Sequence, residues 1–407
     1  MKKGKAAAVA SELMAQSAQK DLTTWKRVVR RRAFLQGLGM LTATTMIPAS
    51  ALLLEASNTQ ANFSKRLPRG DVAILRFLAA AELIESDLWV QYAELGGVKA
   101  DTNDEEFQGF VGGNPAYTAA LENLDGDMPQ YITDNTDDEL SHAAFLNAYL
   151  ASRGERAVNL DRFRTLPSSR ATGVDPAVNG RLTNLMNLNV DLSWYTRYRS
   201  RNNPDLGAKF QGPFAINGQP AIPLNDTETP PTQTQPVPPA ALTPAQARMQ
   251  AIANTAGFHF AFIEQGGSSL YNAMSLKVSD VEVLRIVVSI GGVEVDHFGL
   301  WHDKAGNAVA DPLAGITDPI TGLKFPNLND PATELTQTNK ILPEPCQFIR
   351  KGLPNCSVIR PDSLQNAGAV AAIEGFINDN LFQGQSEEFI ALVMSLAKEA
   401  DAARREL

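Results

Sequence analysis

Cysteine is scarce in this chain, which contains two Cys among its 407 residues. Cys346 and Cys356 are separated by nine residues, and both follow proline-containing turns with no His close by in the sequence. A metal site built on these thiolates is therefore disfavoured, because a structural zinc site needs a complete set of Cys and His ligands. In an oxidising compartment we expect the two residues to form a disulfide instead.

Positive charge is also in short supply, since 36 Lys and Arg face 45 Asp and Glu and the formal net charge is −9. The first 51 residues contain nine basic residues and two acidic ones, so their removal would lower the net charge to −16. Such an acidic surface repels the phosphate backbone of nucleic acids. The composition therefore argues against a DNA-binding or RNA-binding role.

A hydrophobic run long enough to cross a membrane is missing as well. The nearest candidate, residues 35–46, contains Gly37 and Gly39 and is followed by Pro48. Because a transmembrane helix needs roughly 20 consecutive apolar residues, this stretch is too short to span comfortably. Retention as a membrane anchor is the alternative to cleavage here, and we expect cleavage.

The same stretch fits the pattern of a cleavable export signal. Basic residues come before it, its apolar core is short, and small residues at 49–51 offer a cleavage site. The residues at its start resemble the twin-arginine class of signals: Arg31, Arg32, Phe34 and Leu35. We therefore expect residues 1–51 to be a signal peptide recognised by the twin-arginine export machinery, and the mature protein to be periplasmic or secreted.

Two long helical patterns occupy the first half of the chain. Asp71 can cap a helix whose apolar residues recur three and four positions apart as far as Gly96. A second helix contains Glu139, and its start can be placed in two ways. Thr136 forms a capping-box pattern with Glu139, whereas Thr133 offers an earlier cap that leaves Glu139 inside the helix. We expect the earlier start.

Two further helical patterns occupy the second half. Thr243 followed by a proline is a typical helix start, and the pattern that it opens continues to Met274. Residues 279–282, Ser-Asp-Val-Glu, form a capping box that begins a fourth helix, which should run to about Trp301.

The remaining segments are connections of unusual length. Short helices are expected at 115–124 and 181–198. Residues 202–242 contain nine prolines and few apolar residues, which is typical of a long crossover or a partly disordered insertion and not of a core segment. Two final helices are expected at 367–378 and 385–404.

Two Glu-x-x-His pairs are the chemically informative motifs of this sequence. Residues three apart on a helix face the same way, so each Glu and its His can approach one point. The helix before each pair carries a Glu seven residues ahead of an aromatic residue. Four carboxylates and two imidazoles on four helices are the ligand set of a dinuclear metal site in a helix bundle. The residues involved are Glu139, His142, Glu294 and His297 for the pairs, with Glu82 before Trp89 and Glu264 before Tyr271.

These motifs resemble those of the ferritin-like superfamily, in particular its exported branch. The resemblance covers residues 70–152 and 245–302 and is carried by the segments AELIESDLW and FIEQGGSSLY. It implies an all-α fold, a ferritin-like four-helix bundle with long inserted loops and extra C-terminal helices. The chain would then consist of the signal peptide (1–51), the bundle (68–302) with an insertion (153–242), a loop region with the disulfide (303–365) and C-terminal helices packed on the bundle (366–407).

The resemblance also implies a site that holds two iron ions or, alternatively, manganese. Glu82 and Glu264 would each bind one metal, and Glu139 and Glu294 would bridge the two. One imidazole would complete each metal, from His142 and His297. Iron and manganese both favour carboxylate and imidazole ligands over thiolates.

Three other residues are possible ligands by their type and position. Glu85, one turn after Glu82, could replace it, but Glu82 alone matches the spacing to an aromatic that is seen at Glu264. His259 and His302 lie five residues from their nearest motif residue and thus on another face of the helix. We expect these two His at the surface or beside the site, and not as ligands.

Two details of the motif helices need a reason. The position one turn after each motif His, where some relatives carry an acidic residue that orients the imidazole, is apolar: Phe145 and Leu300. Paired glycines, at 266–267 and 291–292, lie inside predicted helices, where each costs about 1 kcal/mol relative to alanine. Close helix packing or a channel to the metals would account for them.

Two functions remain open at this point. The first is an exported di-metal protein that activates oxygen or peroxide or oxidises ferrous iron. The second is a non-enzymatic stress-related or envelope interaction protein that uses the bundle as a scaffold. Assembly into a storage cage is not expected, because the long insertions would obstruct the outer surface, and the oligomeric state and the substrate stay undetermined.

Overall fold

The described part of the chain covers the whole motif region. The computed structural model describes residues 66–98, 113–192, 215–327, 343–344, 350–357 and 368–406, apart from 177, 179, 229, 231 and 232. The signal motif at 31–35 and Cys346 lie outside the described residues. Cys356 is exposed, and its pairing with Cys346 stays a prediction.

Helices dominate the described residues, which form seven α-helices and two short two-stranded antiparallel ribbons. The helices are α1 (Arg69–Gly96), α2 (Pro115–Glu122), α3 (Met128–Ser152), α4 (Pro244–Ser275), α5 (Val281–Trp301), α6 (Ala369–Asn378) and α7 (Glu387–Ala402). The ribbons pair β1 (Leu188–Asp191) with β2 (Ala215–Gln219) and β3 (Pro343–Glu344) with β4 (Cys356–Ser357). The predicted helical bundle is confirmed. Among the described helices, none is both long and apolar enough to cross a membrane.

Four long helices form the bundle as two hairpins, in which α1 packs along α3 and α4 packs along α5. Aromatic rings from both hairpins meet in its interior. The rings of Trp89 and Trp301 stack with centroids 5.3 Å apart, and Phe260 lies 4.7 Å from Trp301. Rings of this size bury large apolar areas, so the bundle has one core to which both halves of the chain contribute.

The starts of the second-half helices follow the sequence signals with one change. Thr243 Oγ1 accepts a hydrogen bond from the Gln246 backbone N–H, and Gln246 Oε1 accepts one from the Thr243 N–H at 3.0 Å, which completes a capping box. The cap of α5 is Asp280 and not Ser279. Its Oδ1 accepts from the N–H groups two and three residues later, at 2.8 and 3.2 Å, and its charge favours the positive end of the helix dipole.

The prediction that Asp71 caps α1 is wrong, because that helix begins after Pro68. The Asp71 carboxylate is buried and accepts hydrogen bonds from the backbone N–H groups of Ser279 and Asp280, at 3.0 and 2.7 Å. It therefore ties the start of α1 to the turn that precedes α5. A sequence pattern cannot distinguish a local cap from this long-range acceptor role, since both use the same carboxylate.

The start of α3 removes the ambiguity over Glu139. The helix begins at Met128, before both Thr133 and Thr136, so the earlier of the two proposed starts was the better one. Thr136 Oγ1 donates to the carbonyl of Ile132 at 2.6 Å and caps nothing. Glu139 consequently lies well inside the helix with its side chain available to the bundle interior.

Two expectations about the connections are wrong. The described residues 181–192 of the predicted helix at 181–198 are not helical, and 188–191 form strand β1, in which Leu188 and Val190 are buried while Asn189 and Asp191 are less so. That alternation has the period of a strand. Part of the segment 202–242 belongs to the core, since β2 pairs with β1 and Ile216 is 1% exposed.

The two C-terminal helices are confirmed as α6 and α7, and α7 packs along α1. Asp401 of α7 accepts hydrogen bonds from the first two N–H groups of α6, those of Ala369 and Val370, at 3.0 and 2.9 Å. Lys277, just after α4, donates to the same carboxylate at 2.9 Å. One carboxylate thus joins α6, α7 and the end of α4.

Candidate metal centre

Six side chains from four helices converge in the middle of the bundle. They come from α1, α3, α4 and α5, and all of them are buried, with 6% exposure or less. They form two groups of four whose candidate ligand atoms lie within 4.8 Å of one another, close enough to hold a metal ion in each group. The six are the residues singled out in the sequence: Glu82, Glu139, His142, Glu264, Glu294 and His297.

The first group surrounds the Nδ1 atom of His142. This nitrogen lies 3.4 Å from Glu82 Oε2, 3.3 Å from Glu139 Oε2 and 3.4 Å from Glu294 Oε1. Three carboxylate oxygens and one ring nitrogen therefore face a single point. A cation placed there would be bound by hard oxygen ligands and one imidazole, a donor set suited to iron or manganese.

The second group surrounds the Nδ1 atom of His297. Glu139 Oε1 lies 3.1 Å and Glu264 Oε2 3.3 Å from this nitrogen, and Glu294 completes the group. Glu139 and Glu294 belong to both groups, which is the arrangement that bridging carboxylates require. The two imidazole rings are 6.5 Å apart between centroids.

Unpaired polar atoms show that the cluster is incomplete as a set of protein contacts. Among the residues that the structure describes, five buried atoms of the cluster have no hydrogen-bond partner: Glu82 Oε2, Glu264 Oε2, both Glu294 oxygens and His297 Nδ1. Leaving one buried polar group unpaired costs about 1–3 kcal/mol, so five in one place need a compensating ligand. Because four of the five are carboxylate oxygens, the compensating ligand has to be a cation or a proton.

Burial and mutual repulsion make two of the carboxyl groups, those of Glu139 and Glu294, hold protons. Burial, followed by the charges of Glu82 and Glu264, raises the pKa of Glu139 to about 7. Burial and the charge of Glu139 raise the pKa of Glu294 well above its usual range. Both effects penalise the charged form of a carboxyl group. Two divalent ions, with four positive charges against four carboxylates, would remove this penalty.

On the imidazoles, burial and the neighbouring carboxylate charges shift the pKa in opposite directions. Burial alone would lower their pKa values, but the charge of Glu82 raises the pKa of His142 and that of Glu264 raises the pKa of His297. Burial likewise favours neutral Glu82, yet the charge of His142 outweighs it and holds the pKa of Glu82 below its ordinary value. Protons on the two imidazoles therefore stand where metal cations would otherwise balance the carboxylates.

Two residues that the sequence did not single out, Asn135 and Asp138, support the cluster. The Asn135 amide donates to Glu139 Oε1 at 3.2 Å and to Glu264 Oε1 at 2.9 Å, while its own oxygen accepts from the Trp301 indole at 2.6 Å. Asp138 Oδ2 lies 3.2 Å from Nε2 of His297 and can fix the orientation of that ring. Asp138 thus has the orienting role that an acidic residue at the position of Leu300 has in some relatives. It comes from the other half of the chain.

Tyr271 also contributes to the cluster, because its buried hydroxyl donates a short hydrogen bond to Glu82 Oε1. The spacing of Glu264 to Tyr271 suggested an aromatic in the core. The structure adds that this ring serves the carboxylate of the opposite hairpin. Trp89, at the equivalent position of the first hairpin, packs against other aromatic rings instead.

His259 and His302 are absent from both groups, but neither is a surface residue, since both are fully buried. His259 lies between Tyr92 and Asp379: its Nδ1 is 2.7 Å from the Tyr92 hydroxyl and its Nε2 is 2.9 Å from Asp379 Oδ2. His302 Nδ1 is 3.0 Å from Asp303 Oδ1. The sequence predicted a position at the surface or beside the site, and the burial of both rings excludes the surface.

The paired glycines have distinct roles. A Cβ atom on Gly267 would lie 2.2 Å from Glu294 Oε2, and one on Gly291 would lie 2.8 Å from Tyr271 Cβ, so both permit a close approach of α4 and α5. A Cβ atom on Gly266 or Gly292 would meet nothing within 4 Å. Close packing therefore accounts for one glycine of each pair.

A comparison with protein families agrees with this architecture. A family model described as a ferritin-like domain matches residues 70–307, which is more than half of the chain and includes all four helices of the bundle. No curated protein and no solved structure gives a significant match. The chain belongs to the ferritin-like domain family.

Proposed function

We propose that this protein is a di-metal carboxylate protein that binds two iron ions, or alternatively manganese, and carries out redox chemistry on oxygen, peroxide or ferrous iron. The observation that carries the proposal is the pair of overlapping ligand groups, which share Glu139 and Glu294 and leave five buried polar atoms unpaired. A bound metal pair would supply the redox equivalents and would polarise a bound oxygen ligand.

The residues of the chain have separate tasks in this proposal. Glu82 with His142 would hold one ion, and Glu264 with His297 the other. Glu139, oriented by the amide of Asn135, would bridge them together with Glu294. The surrounding interior is apolar, which keeps water from the ligands and strengthens their electrostatic interaction with a cation.

Metal analysis tests the proposal directly. Chelator-treated protein that is given Fe²⁺ anaerobically, or Mn²⁺, should retain two ions per chain after desalting. The double variant Glu139→Gln with Glu294→Gln should retain none, because each group loses two of its four ligands. A matched control is Glu387→Gln with Glu399→Gln, which removes two exposed carboxylates of α7 and should leave the stoichiometry unchanged.

The outcome also separates an enzyme from a scaffold. Wild-type protein that retains only a trace of metal under these conditions would contradict the di-metal proposal. Two bound ions without any consumption of oxygen, peroxide or ferrous iron would favour the non-enzymatic alternative, in which the bundle is a scaffold.

We also propose that the protein is exported through the twin-arginine pathway, on the strength of the Arg31 and Arg32 motif and the apolar stretch that follows. Arg31→Lys with Arg32→Lys should leave the protein in the cytoplasm in a cell fractionation experiment. Lys26→Arg, a conservative change outside the motif, is the control. Equal export of the double variant and the control would contradict this route.

A further inference from the structure

Beside the candidate metal centre lies a cleft to which the proposed function assigns no role. It lies between α1, α4 and α6 and has a volume of about 340 Å³. Its walls include Glu85 of α1, Gly266 and Gly267 of α4, and Glu374 of α6. Helix α6 lies outside the range matched by the ferritin-like domain, so the cleft depends on a part of the chain that the family does not supply.

The cleft reaches the metal centre at its inner end. Glu85 is one helical turn beyond Glu82 and faces the cleft, so it is not part of either ligand group. Gly267 separates the cleft from Glu294, since a Cβ atom there would lie 2.2 Å from Glu294 Oε2. Both oxygens of Glu294 lack a hydrogen-bond partner. Glu294, a candidate ligand of the centre, therefore lies just behind the Gly267 wall of the cleft.

The charge of the cleft selects its ligand. Three carboxyl-bearing residues line it, Glu85, Asp191 and Glu374, and no Lys or Arg does. Glu85 is 5% exposed, and among the described residues it has neither a hydrogen bond nor an ion pair. A buried carboxyl group without a partner is expensive unless a cation visits it, and a cleft of one charge sign concentrates ions of the opposite sign.

We propose that this cleft is the uptake site for a hydrated divalent cation, which Glu85 receives from solvent and transfers to Glu294. The proposal rests on the proposed di-metal function. Asp191 and Glu374 attract the ion, and the open space beside Gly266 leaves room for it, whereas Gly267 lies against Glu294 at the inner wall. The volume is sufficient for an ion with its inner waters, since a water occupies about 30 Å³.

The steric test uses the two glycines that have open space around them. Gly266→Leu places a side chain in the cleft, whereas Gly292→Leu places one on the exposed face of α5, away from it. Both changes raise helix propensity, so both variants should fold. In stopped-flow absorbance measurements of Co²⁺ uptake by chelator-treated protein, Gly266→Leu should slow uptake several-fold and still reach two ions per chain. Gly292→Leu should load at the wild-type rate.

The charge test uses Glu85→Gln, with the exposed Glu399→Gln as its control. Uptake of Co²⁺ by Glu85→Gln should be roughly tenfold slower, because the amide cannot release a proton and bind the ion as a carboxylate does. Wild-type rates in both Gly266→Leu and Glu85→Gln, with normal final loading, would overturn the uptake site alone. Wild-type protein that takes up no Co²⁺ would overturn the di-metal function and this proposal together.

Discussion

At the scale of single residues, Asp138 makes the two halves of the candidate centre unequal. It contacts His297, and the charged partner of an imidazole makes that ring a better ligand. Asp138→Asn should therefore weaken one of the two metal-binding steps by roughly tenfold and leave the other unchanged. Isothermal titration with Mn²⁺ would resolve the two steps. Asp134→Asn, an exposed change one turn earlier in α3, is the control, and an equal loss in both steps would contradict this role.

Gly267 offers a second prediction at this scale. Gly267→Ala improves helix propensity by about 1 kcal/mol, but its methyl group would displace Glu294, whose Oε2 lies 2.2 Å from the Cβ position. We expect loss of bound metal together with reduced thermal stability. Gly292→Ala has open space and should raise the free energy of unfolding by about 1 kcal/mol. Metal analysis and thermal melting of both variants are the measurements, and unchanged metal content in Gly267→Ala would contradict the close contact.

At the scale of elements, the attachment of α6 depends on a buried polar chain. Asp379, at the end of α6, and Tyr92 of α1 both contact the imidazole of His259 in α4. His259→Ala leaves the Tyr92 hydroxyl and the Asp379 carboxylate unpaired and should lower the free energy of unfolding by roughly 3–5 kcal/mol. Asp379→Asn keeps an oxygen acceptor for the imidazole and should cost less. Urea denaturation would compare them, and equal losses would mean that the carboxylate charge decides the attachment.

Elements were predictable from the sequence where the signal is local. The starts of α4 and α7 and the short helix α2 depend on caps and on periodicity within a few residues. The failures are residues whose partners are distant in the chain. Asp71 accepts hydrogen bonds from residue 279, more than 200 positions away, and β1 exists because it pairs with β2 across a connection that no local pattern specifies.

The candidate centre divides in the same way. Its six residues could be found because each Glu-x-x-His pair is a spacing on one helix. Asn135 and Asp138 could not be found, since each contacts a side chain of the opposite hairpin. Tyr271 belonged to the motif, but its hydrogen bond to Glu82 of the opposite hairpin could not be predicted. From the sequence, Glu85 was a possible replacement for Glu82. The structure shows that Glu85 faces the cleft and belongs to neither ligand group.

At the scale of the whole molecule, metal and protons compete, and the competition gives a pH dependence. In the metal-free fold the Glu139 carboxyl keeps its proton up to about pH 7, compared with 4.5 ordinarily, so its contribution to stability falls as pH rises between these values. The raised pKa values of His142 and His297 act in the same direction, because their stabilisation is complete below about 6.5 and is lost at higher pH. Metal-free protein should lose stability from this site as pH rises.

Metal reverses that trend, because it binds the deprotonated ligands and only in the folded state. The rise in melting temperature caused by metal should therefore be larger at pH 7.5 than at pH 5. Calorimetry of metal-loaded and chelator-treated protein at the two pH values is the measurement. The variant Glu139→Gln with Glu294→Gln is the control and should show no rise at either pH. An equal rise in wild-type protein at both pH values would mean that these residues do not bind the metal.

Each candidate pocket takes three residues from one hairpin and its fourth from the other, and Glu294 belongs to both. Glu294 is also among the last of the six to be synthesised. During translation a nascent chain can present Glu82, Glu139 and His142 together, but neither pocket is complete until α5 has left the ribosome and folded onto the first hairpin. Under the proposed di-metal function, tight capture of metal would thus be a late event in biosynthesis, and the compartment in which α5 folds would determine which metal ions are available to it.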